Sequence, residues 1–130
     1  MNNVELYWNK DHTKYAVLVS DGFGAGWSSW EGAELAYDKR VVEFWLAHEY
    51  DKEWMRAVTQ SKYGATKQSE ANKEAETFFR SIGYDECPYM GGFSSIHFEW
   101  VEAGQKWIIE EYDGSESLRF IEDYSWNCFN

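Results

Sequence analysis

Two cysteines, one proline and three histidines are few for a chain of 130 residues, and each scarcity excludes something. Cys87 and Cys128 form no C-x-x-C pair and no disulfide framework, so free thiols in a reducing compartment are expected. His12, His48 and His97 show neither H-x-x-x-H nor H-E-x-x-H spacing, which argues against a metal site. No apolar run approaches membrane-spanning length, and the opening "MNNVELYW" is too short and too polar for a leader. The expectation is a cytoplasmic protein with no membrane partner. Bases are scarce too: 12 Lys and Arg stand against 23 Asp and Glu, a net charge of −11. Within residues 96–130, eight acids, among them Glu110, Asp113 and Glu116, meet only Lys106 and Arg119. Such a surface repels nucleic-acid phosphates and anionic membranes and suits a basic partner.

Aromatic residues, by contrast, are abundant: eight Trp, nine Tyr and eight Phe. At about 200 Å² each they supply roughly 5,000 Å² of buried area. A chain of this size hides on the order of 15,000 Å² on folding, so the core alone can absorb them. Their number therefore does not imply a stacking site. The segments "VELYWN" (4–9) and "KYAVLVS" (14–20) read as strands joined by "KDHT", a first hairpin. The second is apolar at nearly every position, which implies burial on both faces or at a sheet centre. From Ala33 to about Thr59 a helical stripe runs through Leu35, Val42, Trp45 and Leu46, with a bend expected near Tyr50. Another helix is expected from an N-cap at Ser69 to Ile82, with Gly83 just past its end, after the polar linker "SKYGATKQ". Three β segments follow, "IHFEWVE", "KWIIEEY" and "LRFIEDY", with turns at Gly104 and at Asp113-Gly114. This order implies an α+β fold in a single domain, 1–130: an antiparallel sheet of about five strands with two helices packed on one face.

"SDGFGAGWSSW" (20–30) poses the functional question, because alternating glycines mark a backbone bent around something. A phosphate cradle needs converging N–H groups and a nearby base. Here the G-x-G-x-G spacing matches neither the dinucleotide nor the Walker pattern, and Lys39 and Arg40 lie far along the chain. A strand-to-helix crossover is the simpler reading. Gly22, Gly24 and Gly26 then serve the fold, at least one at positive φ. Of Trp27 and Trp30, one is expected to be buried. The other, with Phe23, would form an aromatic edge beside Tyr37 and Arg40. No catalytic signature is visible: Cys87 with His97 is the only thiol–imidazole pairing worth testing, Cys128 lies near the chain end, and Glu110-Glu111 point to opposite faces of a strand.

"YAVLVSDGFGAGWSSW", "LAYDKRVVEFW" and "FEWVEAGQKWIIEEYDGSESL" together resemble small proteins encoded by bacteriophages and prophages, over most of the chain apart from residues 50–75. The resemblance carries no catalytic residue. It implies a phage protein at work in a bacterial host cytoplasm, of the kind that binds and disables a host or defence protein, as anti-CRISPR and other anti-defence inhibitors do. The leading expectation is thus a non-enzymatic inhibitor of a basic host or defence protein, without cofactor or direct nucleic-acid binding, and partly imitating nucleic acid. Its binding residues would be Phe23, Trp27, Trp30, Tyr37, Arg40, Glu110, Asp113 and Glu116. A sponge for a nucleotide signal, with the loop aromatics stacking a base, is the alternative, and a small enzyme of unknown chemistry the third. The sequence leaves self-association open.

Overall fold

The run "YAVLVS" is apolar at successive positions because the strand it forms is covered on both sides. In the computed structural model, which describes residues 4–60 and 70–121, β1 (Lys14–Ser20) pairs antiparallel with β2 (Ile96–Glu102). Strand side chains alternate between faces. Ala16 and Leu18 of β1, with Ile96 and Phe98 of β2, face a layer of helices, whereas Val17, Val19 and Val101 face a second strand pair. That pair is a hairpin of β3 (Trp107–Tyr112) and β4 (Ser115–Phe120). Asp113 and Gly114 close it at φ 53° and 91°, as a two-residue type I′ turn requires. Its inward residues Trp107, Ile109, Leu118 and Phe120 cover Val17, Val19, Ala36 and Val101. The chain is therefore α+β, layered as helices, β1–β2 and β3–β4, with a hydrophobic cluster on each side of β1.

Among the described residues, the strands form two separate two-stranded sheets rather than one sheet of five. Two physical reasons account for this. "VELYWN" straddles two partners: Glu5 O accepts from Lys39 N at 2.8 Å, while Tyr7 O accepts from Ala16 N at 2.9 Å. Only the isolated bridges Leu6–Asp38 and Trp8–Tyr15 result, because a segment shared between two partners cannot extend a ladder with either. The expected turn after it does form, with the Asn9 carboxamide oxygen accepting from Thr13 N and Lys14 N at 2.9 and 3.0 Å. The β3–β4 hairpin, for its part, folds over β1–β2 instead of extending it, since extension would leave Val17, Val19 and Val101 bare.

Nor, among the described residues, are there just two helices. The stretch read as one helix over 33–59 divides into a 3-10 turn (Ala33–Ala36), α2 (Lys39–His48) and α3 (Lys52–Gln60), preceded by the short α1 (Ser28–Glu31). The first break falls at Asp38, buried and extended (φ −60°, ψ 121°), whose carboxylate accepts from Arg40 N at 2.9 Å and caps α2. The second falls at Asp51, whose carboxylate accepts from Trp54 N at 3.1 Å at the start of α3. The apolar stripe continues across both breaks because each piece faces the same cluster. α4 (Glu70–Ser81) supplies Ala71, Ala75 and Phe79 at intervals of one turn. Gly83 follows it at φ 112°, with Tyr84 N donating to Phe79 O at 3.0 Å. The linker 61–68, the Ser69 cap, Cys128 and the end of the last β segment, with Glu122 and Asp123, lie outside the described residues.

Trp27 joins the loop to the helix layer. It is fully buried, its ring lies 5.2 Å from Phe93 and 6.2 Å from Phe79 between centroids, and its Nε1 donates to Leu35 O at 3.0 Å. Trp27→Ala should cost about 3–5 kcal/mol, read from the shift in urea-unfolding midpoint at unchanged slope. A loss below about 1 kcal/mol would show that the ring is not a core member.

Candidate functional site

The glycine stretch is bent around a carboxylate of the chain itself. Between the end of β1 at Ser20 and the start of α1 at Ser28, the chain turns through Gly24, at φ 80°. The turn aims three backbone N–H groups at one point, and the Glu116 side chain of β4 occupies it, 2% exposed. Ser20 N donates to Oε1 at 2.9 Å; Trp27 N and Ser29 N donate to Oε2 at 2.7 and 3.0 Å; the Ser29 hydroxyl donates to the same oxygen at 2.5 Å. The loop thus has the amide convergence of an anion site, filled internally. Glu116 was expected at the surface beside Glu110 and Asp113, yet it lies in phase with Leu118 and Phe120, which face inward. That period-2 signal was present in the sequence and marked the side correctly.

Outside this cradle, the loop and the hairpin turn make one end of the molecule. Gly24 N donates to Asp113 O at 2.6 Å and the Ser115 hydroxyl to Asp21 O at 3.1 Å, fastening the two segments together. The Glu111 carboxylate accepts from Gly114 N at 2.7 Å and from Trp30 Nε1 at 3.3 Å, and the Trp30 ring stacks on Tyr89 with centroids 6.1 Å apart. Phe23 (71% exposed), Tyr112 (77%) and Trp30 (44%) consequently stand beside Asp21, Glu31, Glu110, Glu111 and Asp113, all exposed. Tyr112 was not singled out from the sequence; its even-phase position with Ile108 and Glu110, opposite to the inward set, was the available signal.

Of the expected binding residues, Phe23, Trp30 and Asp113 lie on these two fastened segments, while Glu110 lies on the outward face of β3, bonded to Arg119 at 3.0 Å. Trp27 and Glu116 are buried and support the surface from within. Tyr37 and Arg40 belong to a different neighbourhood. Tyr37 packs edge-on against Trp107 at 6.1 Å, and Arg40 grips Asp38 through Nε at 3.1 Å and a terminal nitrogen at 2.8 Å. Arg40, Glu34, Asp38 and Tyr84 border a cleft of about 430 Å³. Burial raises the Tyr37 and Tyr84 phenols above their ordinary 10.0, and the nearby carboxylates of Glu34 and Asp38 push in the same direction.

The thiol–imidazole pairing is not assembled. Cys87 packs against the helix-side cluster, while His97 alternates with Ile96 and Phe98 onto the other face of β2, held by Glu99 at 2.8 Å and near Asp21 at 3.6 Å. Among the described residues, no group of three or more His, Cys, Asp or Glu is placed to hold a metal ion, and no helix is long and apolar enough to cross a membrane. Another cavity, of about 390 Å³, is lined by Trp45, Glu49, Lys52, Met55, Arg56 and Ile96. The Trp45 Nε1 is buried without a hydrogen-bond partner among the described residues. Comparison of the chain with protein-family models, with curated proteins and with solved structures finds no significant match.

Two measurements test this description. Removing the carboxylate strands three amides and a hydroxyl, so Glu116→Ala should cost about 3 kcal/mol in chemical denaturation, against about 0.5 kcal/mol or less for Glu110→Ala. Similar small losses for both would mean that the cradle is not held by Glu116. For Tyr37 and Tyr84, the folded state keeps the phenol proton above the pH at which the unfolded chain releases it. Their contribution to stability is therefore complete below pH 10.0 and is lost as pH rises through the folded-state values. The urea midpoint should fall on alkaline titration through this range, less steeply in Y37F/Y84F; an identical slope in that variant would remove the assignment.

Proposed function

We propose that this chain is a phage-encoded acidic protein that binds and inhibits a host or bacterial-defence protein, using the aromatic–acidic end formed by loop 21–30 and the β3–β4 turn. The observation that carries the reading is the exposure of Phe23, Tyr112 and Trp30 together, on a loop braced from behind, among five exposed carboxylates. Large exposed aromatics act as interface anchors, and a one-sign charged surround selects a partner of the opposite sign and speeds encounter. Glu110, Glu111 and Asp113 supply the partial imitation of nucleic acid. The reading is non-enzymatic, without cofactor, and places the protein in the host cytoplasm.

A nucleotide sponge built on the glycine loop is less well supported, because the N–H groups of Ser20, Trp27 and Ser29 already serve Glu116. The small-ligand reading finds its support instead at the cavity lined by Trp45, whose indole N–H is buried and unpartnered, together with Glu49, Lys52 and Arg56. With Glu49 in the same lining, that combination suits a small, largely apolar ligand with a polar end rather than an anion.

The discriminating experiment is affinity capture from bacterial lysate, followed by quantitative binding to the recovered partner. Phe23→Ala and Tyr112→Ala should each weaken binding by about tenfold or more. The double reversal Glu110→Lys with Asp113→Lys should slow association and flatten its salt dependence. Capture of no protein, or a partner indifferent to all four changes, would overturn the reading.

A further inference from the structure

Strand β3 is paired along one edge only. The bond from Ile121 N to Lys106 O, at 3.0 Å, marks Lys106 and Ile121 as a hydrogen-bonded pair of the antiparallel ladder. Such pairs alternate with non-bonded ones, so Ile108–Arg119 and Glu110–Ser117 also exchange bonds. The type I′ turn, which closes on a bonded pair at Tyr112 and Ser115, independently fixes the same phase. The N–H and C=O groups of Trp107 and Ile109 therefore point away from β4, and β3 has no other strand beside it among the described residues. Two donors and two acceptors of the main chain thus stand in a row, without a hydrogen-bond partner among the described residues.

A groove of about 350 Å³ runs along that edge. Successive strand residues alternate between faces, so a groove lined by Trp107, Ile108 and Ile109 together lies against the edge of β3, not on either face. No residue of β4 lines it, which places it on the unpaired side. Its other wall is the α1–3-10 segment, through small residues that include Ser28 and Ala33. Ser28 is 5% exposed, and its hydroxyl makes no hydrogen bond among the described residues. A buried hydroxyl and an unpaired strand edge in one groove call for a ligand with donors and acceptors of its own.

Three features define the class of that ligand. No charged side chain lines the groove, so a charged group would lose its hydration there without compensation. The strand contributes only three residues, about 10 Å of edge, which is short for an added strand and matches a molecule of one or two rings. Along the edge, the Trp107 carbonyl is followed by the Ile109 amide, an acceptor and then a donor. That order is the complement of a lactam, whose N–H and C=O stand side by side.

We infer that the groove between β3 and the α1–3-10 segment is a binding site for a small, neutral, lactam-bearing ring system. The ligand lies in the plane of the strand, its N–H donating to Trp107 O and its C=O accepting from Ile109 N. Its apolar body fills the space against the small-residue wall, where the Ser28 hydroxyl is available to a second polar atom. The site uses none of the carboxylates of the proposed protein-binding end and stands or falls independently of that reading.

The test is a titration of the isotopically labelled full chain with carbostyril, a neutral bicyclic lactam, read by amide chemical shift and amide hydrogen exchange. The Ile109 amide should shift, with half-saturation at roughly millimolar probe or below. Its exchange should slow by about fivefold or more at saturation, while the ladder amides of Ile108 and Glu110 change little. N-methylcarbostyril, which lacks the donor, should bind about fivefold more weakly. A carboxylated carbostyril should bind no better than the parent. Ala33→Leu, at an exposed position of the wall, should keep the fold by circular dichroism and abolish the shift. No shift at Ile109 with millimolar probe, equal binding of the N-methyl compound, tighter binding of the carboxylate, or an unchanged response in the folded Ala33→Leu variant would overturn the inference. So would an Ile109 amide already protected without the probe, whether constantly (the chain itself covers the edge) or increasingly with protein concentration (a second copy covers it).

Discussion

A carboxylate taken out of water must be compensated, and in this protein the compensation organises the chain around it. Glu116 is buried without a basic residue in its coordination; three backbone amides and the Ser29 hydroxyl do the work. An uncompensated charge in such a place would cost several kcal/mol, so the loop must adopt the one path that aims Ser20, Trp27 and Ser29 inward together. That path ties the end of β1 and the start of α1 to a single group near the start of β4, across sequence separations of 87 to 96 residues. Everything exposed on the outer side of the loop, Phe23 and Trp30 included, takes its position from what its backbone does on the inner side.

The second constraint is that β1 is the shared wall of two clusters. Helices cover one face and the β3–β4 hairpin covers the other, so neither layer can shift without exposing part of the strand. On the helix side, aromatic contacts lock the layer laterally: Phe44 stacks on Phe78 at 4.2 Å, His48 on Trp54 at 3.7 Å, and the Trp54 indole donates to Glu74 at 2.9 Å. Three helices are thereby joined through side chains that the apolar stripe alone would leave free to slide. Most of the described aromatics are thus spent on structure, and the exposed ones are Phe23, Trp30 and Tyr112 at the loop end, with Tyr50 and Trp100 elsewhere.

How much of this was legible in the sequence depends on whether the signal was local. The two-sided burial of β1, the Asp113-Gly114 turn and the helix over 70–81 follow from short-range patterns, and all are present. The number of sheets was not legible, because strand pairing is a long-range choice. "VELYWN" has strand composition yet is divided between β1 and the start of α2. Of the breaks in the 33–59 helix, the one between His48 and Lys52 falls where a bend near Tyr50 was expected, whereas the one at Asp38 was hidden by a stripe that continues across it. At the site, Phe23 and Trp30 were legible as loop aromatics, whereas the choice of Trp27 rather than Trp30 for burial depends on Phe79 and Phe93, distant in sequence. Glu116 shows the opposite failure: its inward phase was written in Leu118 and Phe120, but its charge argued for the surface.

The same chain therefore uses carboxylates for unlike purposes, and this bears on what the acidic end can do. Glu116 is an internal tether. Glu110 is engaged with Arg119 at 3.0 Å, and Glu111 is occupied by Trp30 and the hairpin turn. Asp21 lies 3.6 Å from the His97 ring. A net charge of −11 thus overstates the field that a partner meets at this end, because several of its acids are already directed at neighbours. Charges in such arrangements chiefly set approach and selectivity, while desolvated aromatic anchors hold the complex. In the proposed reading, the imitation of nucleic acid would be partial for a structural reason: several of the acids hold the loop and the hairpin together, and the surface left to a partner would be as much aromatic as anionic.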